Sequence, residues 1–168
     1  MKELIITTKT AIIAIGVFVV FVIIGVVYCG VAHAKDYSDY REQCAPIRDD
    51  VENYLSAAGI SPDYFYLLVA ESHCKGDAVS KAGAVGYWQM MPRTARKYGC
   101  NDPFDLECES RAAARYLKHL EEKCGVENVI YCWHDGGTNF LKKNGKVPTK
   151  GAAGLAWQVR HLMNTDNP

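Results

Sequence analysis

The chain has 168 residues, with 19 Lys and Arg residues against 19 Asp and Glu residues and a formal net charge of zero. This balance, without any basic run or stripe, argues against a nucleic acid as a partner. The length accommodates one domain in addition to whatever the N-terminus contributes.

The N-terminal segment, residues 1–34, combines a basic start at Lys2 and Lys9 with a long uncharged apolar run. The run is long enough to cross a bilayer as a helix, which would leave a membrane anchor. Its end, the small-residue sequence AHA, is also typical of a signal peptide that is cleaved before Lys35. Both alternatives stay open, and both predict that residues 35–168 form the functional domain outside the cytoplasm.

The cysteines agree with export. Apart from Cys29 in the apolar run, the chain contains Cys44, Cys74, Cys100, Cys108, Cys124 and Cys132. Six cysteines in a small exported domain indicate three disulfides, and since no pair has zinc-knuckle spacing, we expect no metal. Many pairings are possible. The short separations favour Cys100–Cys108 and Cys124–Cys132, which leaves Cys44–Cys74.

Apolar residues repeat at helical spacing in six segments of the domain. These predicted helices cover approximately residues 47–58, 62–73, 92–98, 113–124, 126–133 and 155–163. Ser61 before Pro62 is a typical helix start, and Gly99 is a typical helix end. No alternating strand pattern of any length is present. We therefore predict a mostly α domain of short helices.

Glu71 is unusual because it continues the apolar stripe of the second predicted helix, after Leu67 and Leu68. Burial of a carboxyl costs free energy and raises its pKa, since the charged form is disfavoured. A carboxyl that stays protonated near neutral pH can protonate a leaving oxygen, as the acid of glycoside cleavage does. The alternative is a glutamate at a helix end that simply reaches solvent.

The loop after Glu71 carries groups suited to sugar recognition. It presents Tyr87, Trp88 and Gln89 together, two aromatic rings and an amide, and loops on a rigid scaffold commonly form binding sites. We therefore expect these three side chains to line a substrate groove beside Glu71.

The segment ESHCKGDAVSKAGAVGYWQMMPRTARKYG, which begins at Glu71, resembles the signature of the soluble lytic transglycosylase (SLT) domain family. The shared pattern is Glu-Ser, Ala-Val-Ser, Gly-Ala and then Gly-x-x-Gln-x-Met-Pro-x-Thr-Ala. The later segment DPFDLECESRAAARYLKHL is similar to the next part of the family sequence, so the resemblance covers roughly residues 45–140. It implies a lysozyme-like domain of short helices around a substrate groove.

The resemblance also implies an activity. The family cleaves the β-1,4 bond between N-acetylmuramic acid and N-acetylglucosamine in peptidoglycan, without a cofactor. Glu71 would protonate the glycosidic oxygen and then act as base on the hydroxyl of carbon 6, which closes a 1,6-anhydro ring. The substrate acetamide stabilises the cation, so no second carboxylate is needed. Ser72 and Gln89 match family positions that contact the substrate.

One segment departs from the family pattern. The family usually has Tyr-Asn-Ala-Gly in a later helix, where the tyrosine hydrogen-bonds the catalytic glutamate, whereas this chain has Trp133, His134, Asp135 and Gly136. Trp133 can fill the space, but it has only an N–H donor and is not expected to reproduce the role of the phenol. We expect Trp133 and His134 at the substrate groove.

The departure leaves two alternative functions. Asp135 as a second carboxylate would position water and give a hydrolytic muramidase, although an aspartate before glycines is also typical of a turn. Loss of the tyrosine would fit an inactive peptidoglycan-binding assembly subunit. Compact members of the family often accompany secretion, conjugation or phage machinery, so the resemblance predicts the periplasm or cell envelope as the location, with attachment to the inner membrane if residues 1–34 persist.

Overall fold

The computed structural model describes residues 38–136 and 149–166 of the chain. The segment predicted as a signal peptide or anchor, residues 1–34, lies outside these described residues. Within the described ranges, no helix is both long and apolar enough to span a membrane.

The described residues form six α-helices. They are α1 (Ser38–Ala57), α2 (Phe65–Ser72), α3 (Pro92–Lys97), α4 (Leu106–Cys124), α5 (Val129–Asp135) and α6 (Lys150–Asp166). Single 3₁₀ turns, Pro62–Tyr64 and Val126–Asn128, lead directly into α2 and α5. Across 38–136 and 149–166 there is no strand, only isolated bridges in the loop between α2 and α3. The prediction of a mostly α domain of short helices is confirmed.

Three helices begin earlier than the apolar pattern predicts, namely α1, α4 and α6, the last of which starts at Lys150. α1 starts at Ser38 and runs through Pro46, a residue that normally interrupts a helix because it lacks an N–H donor. α4 starts at Leu106, where the side chain of Asp105 accepts a hydrogen bond of 2.7 Å from the Cys108 N–H. Periodicity does not detect these starts, because a helix end is decided by capping and neighbouring structure as well as by its apolar face.

α2 lies at the centre of the domain. It packs against α1 on one side and α6 on the other, and α5 packs against both α4 and α6. Leu67 and Leu68 are fully buried, and nearly every residue of α2 belongs to the core. A helix that is apolar around most of its circumference is expected in such an enclosed position. The residue at its C-terminal end is therefore held on a rigid support.

Three disulfides connect these helices with one another and with the turns beside them. They join Cys44 to Cys74, Cys100 to Cys108 and Cys124 to Cys132, with Cα–Cα distances of 5.5, 5.2 and 6.7 Å. These distances lie in the usual range for a disulfide. The pairing favoured by sequence separation is confirmed. The first bridge ties α1 to the turn after α2, and the third ties the end of α4 to α5.

Candidate active site

Glu71 occupies the last turn of α2. The helix ends abruptly after Ser72, because His73 and Cys74 have positive φ angles of 54° and 60°. Such angles are uncommon for residues other than glycine and persist where surrounding structure enforces them. Here the Cys44–Cys74 disulfide holds the turn, so the position of Glu71 is fixed from both sides.

The carboxyl of Glu71 is partly buried and has one hydrogen-bond donor close by. The indole Nε1–H of Trp133 donates to Oε1 at 3.0 Å. Desolvation raises the pKa of Glu71 to about 7, and this rise outweighs the opposing effects of His134 and of the Trp133 hydrogen bond. The carboxyl is therefore partly protonated at neutral pH, which suits a group that first donates a proton and then accepts one.

Trp133 takes part in the site more directly than the sequence predicts. It was expected to fill the place of the family tyrosine without its hydrogen-bonding role, but its N–H donates to Glu71. The indole is only 8% exposed and lies between the rings of Trp88 and Tyr116, with centroid distances of 6.0 and 5.3 Å. This packing restricts the indole to few rotamers, so the donor stays directed at the carboxyl.

Trp88 belongs to the core rather than to the groove, which corrects the sequence expectation. Its side chain has no exposed surface, and its Nε1–H donates to the Ser110 hydroxyl at 3.0 Å. A ligand cannot touch a residue buried in this way. Trp88 acts on the site indirectly, because it supports the ring of Trp133.

Ser72 and Tyr87 also lie away from the open surface beside Glu71. Ser72 is 4% exposed, and its hydroxyl donates to the Leu68 carbonyl at 3.3 Å, so the expectation of substrate contact is corrected to a residue that ends a helix. Tyr87 is half-buried, its ring lies against the backbone of Gly76, and it lines neither of the two cavities at Glu71.

Gln89 does reach the cavity beside Glu71. Its backbone has a positive φ of 50°, and its amide nitrogen donates to the carbonyls of Ala78 at 3.1 Å and Gly86 at 2.9 Å. These bonds hold the loop between α2 and α3 in a closed conformation and offset the cost of the left-handed backbone. Contact of Gln89 with a substrate remains a prediction.

Two cavities meet at Glu71 and His134, which line both of them. The loop-side cavity, of about 440 Å³, lies between the loop that carries Gln89 and the ring of Trp133 and includes Thr94 and Tyr116. The α6-side cavity, of about 410 Å³, is bordered by residues of α6. Both volumes fall in the range of ligand-binding clefts. Together they form a groove with the carboxyl in its middle.

A third cavity of about 260 Å³, between α1, α2 and α6, does not include Glu71. Its lining is mainly apolar, and the guanidinium of Arg48 at its edge is already bound to Glu52 and Tyr66. It brings together no acid and base, so we do not assign the chemistry to it. Among residues 38–136 and 149–166, no cluster of three or more potential ligands could hold a metal ion.

Asp135 is occupied by a structural role. Its carboxylate accepts hydrogen bonds from the N–H of Thr149 at 3.0 Å and from the Thr149 hydroxyl at 2.5 Å, directly before α6 begins. Although desolvation opposes the effect, these bonds and one with His134 hold the pKa of Asp135 below its ordinary value. The ionised carboxylate thus links the end of α5 to the start of α6 through hydrogen bonds to Thr149. Because its oxygens are engaged in these bonds, it is not arranged to activate a water molecule.

His134 is exposed at the junction of the two cavities. Its Nδ1 lies 3.1 Å from the Asp135 carboxylate, and its ring packs closely over the backbone of Gly151 at the start of α6. The expected place at the groove is therefore consistent with the structure, whereas contact with a substrate is still a prediction.

Sequence reasoning missed the contribution of α6 to the groove. Lys150, Gly154, Trp157 and Gln158 border the α6-side cavity. Periodicity identifies α6 as a helix through an apolar stripe that includes Leu155, but it does not identify the polar and aromatic residues beside this stripe that border the cavity. Trp157 is 58% exposed, but this exposure becomes visible only after folding.

Comparison with protein families agrees with this geometry. The family model described as Transglycosylase SLT domain matches residues 51–155, which is more than half of the chain and includes Glu71, the Gln89 loop and the Trp133 segment. No solved structure matches the chain. The chain therefore belongs to the lysozyme-like SLT domain family, whose members are enzymes of the lytic transglycosylase type that act on peptidoglycan.

Proposed function

We propose that this protein cleaves the β-1,4 bond between N-acetylmuramic acid and N-acetylglucosamine in peptidoglycan and forms a 1,6-anhydro ring. The observation that carries the proposal is Glu71, a carboxyl with a pKa raised to about 7 that lies where two cavities meet. A glycan strand laid along the two cavities brings a glycosidic oxygen to this carboxyl.

Glu71 alone performs both proton transfers of the proposed reaction. Its proton moves to the glycosidic oxygen while the bond from this oxygen to carbon 1 of N-acetylmuramic acid breaks. The carboxylate then accepts the proton of the carbon 6 hydroxyl while the oxygen of that hydroxyl bonds to carbon 1. The neighbouring acetamide stabilises the positive charge between these steps. Glu71 ends protonated, no water is consumed, and the enzyme is ready for another cycle.

Two contacts favour this reaction over the alternatives. The muramidase alternative depends on Asp135, whose carboxylate is engaged by Thr149. The alternative of an inactive assembly subunit depends on the loss of the family tyrosine, but Trp133 provides a donor to Glu71 in its place. Both contacts support a single-carboxylate enzyme.

Product analysis tests the proposal. Purified protein is incubated with peptidoglycan sacculi, and the soluble muropeptides are analysed by mass spectrometry. We expect products that end in anhydromuramic acid, one water lighter than those of a hydrolase. Glu71→Gln, which retains the shape of the side chain, should bind sacculi but release no product. Products with reducing muramic acid ends would identify a muramidase, and wild-type release by Glu71→Gln would remove Glu71 from the mechanism.

We also propose that the domain works outside the cytoplasm, in the periplasm or cell envelope, where it opens the wall locally for secretion, conjugation or phage-related machinery. The three disulfides support an oxidising compartment. N-terminal sequencing of protein recovered from the envelope distinguishes a signal peptide cleaved before Lys35 from a retained anchor. Recovery of reduced protein from the cytoplasm would contradict this location.

A further inference from the structure

The exposed side of α3 and α4 carries a cluster of positive charge. No acidic residue occurs at positions 88–101 or 110–120, although the chain as a whole has as many acidic as basic residues. Five basic side chains in these two stretches are exposed and form no ion pair with any residue that the structure describes. We call them the cationic patch, which consists of Arg93, Arg96, Lys97, Arg115 and Lys118.

Tyr98, the residue that follows α3, joins the two parts of the patch. Its carbonyl accepts a hydrogen bond of 2.6 Å from Nε of Arg115, and Nζ of Lys97 lies 5.3 Å from the centroid of its ring. The ring packs against Tyr116 of α4, with a centroid distance of 4.9 Å. The cations of α3 and those of α4 therefore form one surface, although they come from separate parts of the chain.

The crowding of these cations is unfavourable for the isolated domain. In α3, Arg96 and Lys97 follow Arg93 by three and four residues. In α4, Lys118 follows Arg115 by three residues. Side chains at these spacings are neighbours on a helix, and like charges there are destabilising. A polyanion that covers the patch removes this repulsion, and complementary charge also speeds its approach.

The patch lies next to the proposed active-site groove. Thr94 of α3 and Tyr116 of α4 line the loop-side cavity, and each directly follows a patch residue in the sequence. The same two helices therefore contribute some side chains to the groove and others to the patch. Peptidoglycan matches this arrangement, because its N-acetylmuramic acid units carry short peptides with free carboxylates. A glycan strand in the groove brings such carboxylates close to the patch.

We propose that the cationic patch binds the carboxylates of the peptidoglycan peptides and so holds the domain on the wall while the groove engages a glycan strand. The inference rests on the proposed function, since it assigns a second contact with the same polymer, outside the groove. It means that the enzyme acts faster on wall that carries peptides than on bare glycan strands.

Binding to peptidoglycan sacculi tests the patch, with full-length protein that carries Glu71→Gln so that no cleavage interferes. In a sedimentation assay at low salt, Arg96→Glu combined with Lys97→Glu should weaken binding about tenfold. Arg96→Lys combined with Lys97→Arg retains the charge and should bind like the parent. Lys123→Glu with Arg160→Glu is the matched control, because both residues are exposed cations outside the patch and the change in net charge is the same. This control should bind much more tightly than the patch variant, and circular dichroism checks that all variants fold.

Chemical modification tests the other side of the contact. Sacculi whose carboxylates are converted to amides with a carbodiimide and glycinamide should bind the parent about as weakly as untreated sacculi bind the charge-reversed variant. In the enzyme that retains Glu71, the charge reversal should slow product release from untreated sacculi about fivefold relative to release from glycan strands freed of their peptides.

The outcomes separate the patch from the proposed function. Equal binding of the parent, the patch variant and the control to sacculi overturns the inference, as does parental binding to amidated sacculi. If the patch variant loses binding to vesicles of anionic phospholipid or to duplex DNA but not to sacculi, the patch serves a membrane or a nucleic acid and the inference is also overturned. The proposed function fails on a different result, namely the absence of anhydromuramic products from the unsubstituted enzyme.

Discussion

Glu109 offers a quantitative test of the structure, because it is a carboxyl with no exposed surface. It lies in the first turns of α4, and no donor meets hydrogen-bond geometry with either carboxyl oxygen. Desolvation raises its pKa from 4.5 to about 8 and outweighs the opposing effect of the backbone N–H groups of Trp88, Tyr87 and Met90. We predict that Glu109 is protonated in the folded enzyme at neutral pH.

The consequence for stability follows from linkage. The folded state holds the Glu109 proton more tightly than the unfolded state does, so protonation stabilises the fold. This stabilisation is complete below the unfolded pKa of 4.5 and is lost as pH rises through the folded pKa of about 8. At about 1.4 kcal/mol for each pKa unit, the free energy of unfolding falls by about 5 kcal/mol between the two limits. By pH 7 about 3 kcal/mol of this stabilisation is already lost. Glu109→Gln cannot ionise and should not show this loss.

The assay is thermal unfolding between about pH 5 and about pH 8. Glu71 also has a raised pKa and titrates in the same range. The parent and the Glu109→Gln variant that are compared therefore both carry Glu71→Gln. We expect Glu109→Gln to hold its melting temperature, and the parent to lose roughly 10 °C relative to it. Parallel pH dependences for the two proteins, or a Gln variant that is the less stable one at about pH 8, would refute the assignment of Glu109 as a buried neutral acid.

Three further predictions concern the site and its support. Activity of the unsubstituted enzyme should fall about tenfold per pH unit above the Glu71 pKa of about 7, because the acid must be protonated; a turbidity assay on sacculi checks this, and a flat rate up to about pH 9 would contradict it. The Trp133 hydrogen bond lowers the pKa of Glu71, so Trp133→Phe, which removes this bond, should raise that pKa and shift the decline in activity to higher pH. An unchanged pH profile would show that the contact does not affect the pKa of Glu71. Replacing Cys44 and Cys74 together by alanine opens a bridge with a sequence separation of 30 and should reduce the free energy of unfolding by about 3.5 kcal/mol in denaturant titrations. A loss below about 1 kcal/mol would mean that the bridge does not restrict the unfolded chain as assumed.

The sequence by itself indicated the helices and the disulfide pairing, and it singled out Glu71 as the candidate acid. Each depends on short-range information: apolar spacing places a helix, small separations favour Cys100–Cys108 and Cys124–Cys132, and Glu71 stands out because a charge interrupts an apolar stripe. The motif around Glu71 was equally readable, because its residues are contiguous in the chain.

Only the tertiary structure decided which side chains surround the acid. Trp88 and Gln89 are adjacent in sequence, yet one is fully buried and the other lines the loop-side cavity, because the irregular backbone of this loop sends neighbouring side chains in different directions. The contact of Trp133 with Glu71 and the contribution of Trp157 join segments far apart in the chain. Such contacts depend on how helices pack, and packing is a property of all the buried side chains together, which no local pattern encodes.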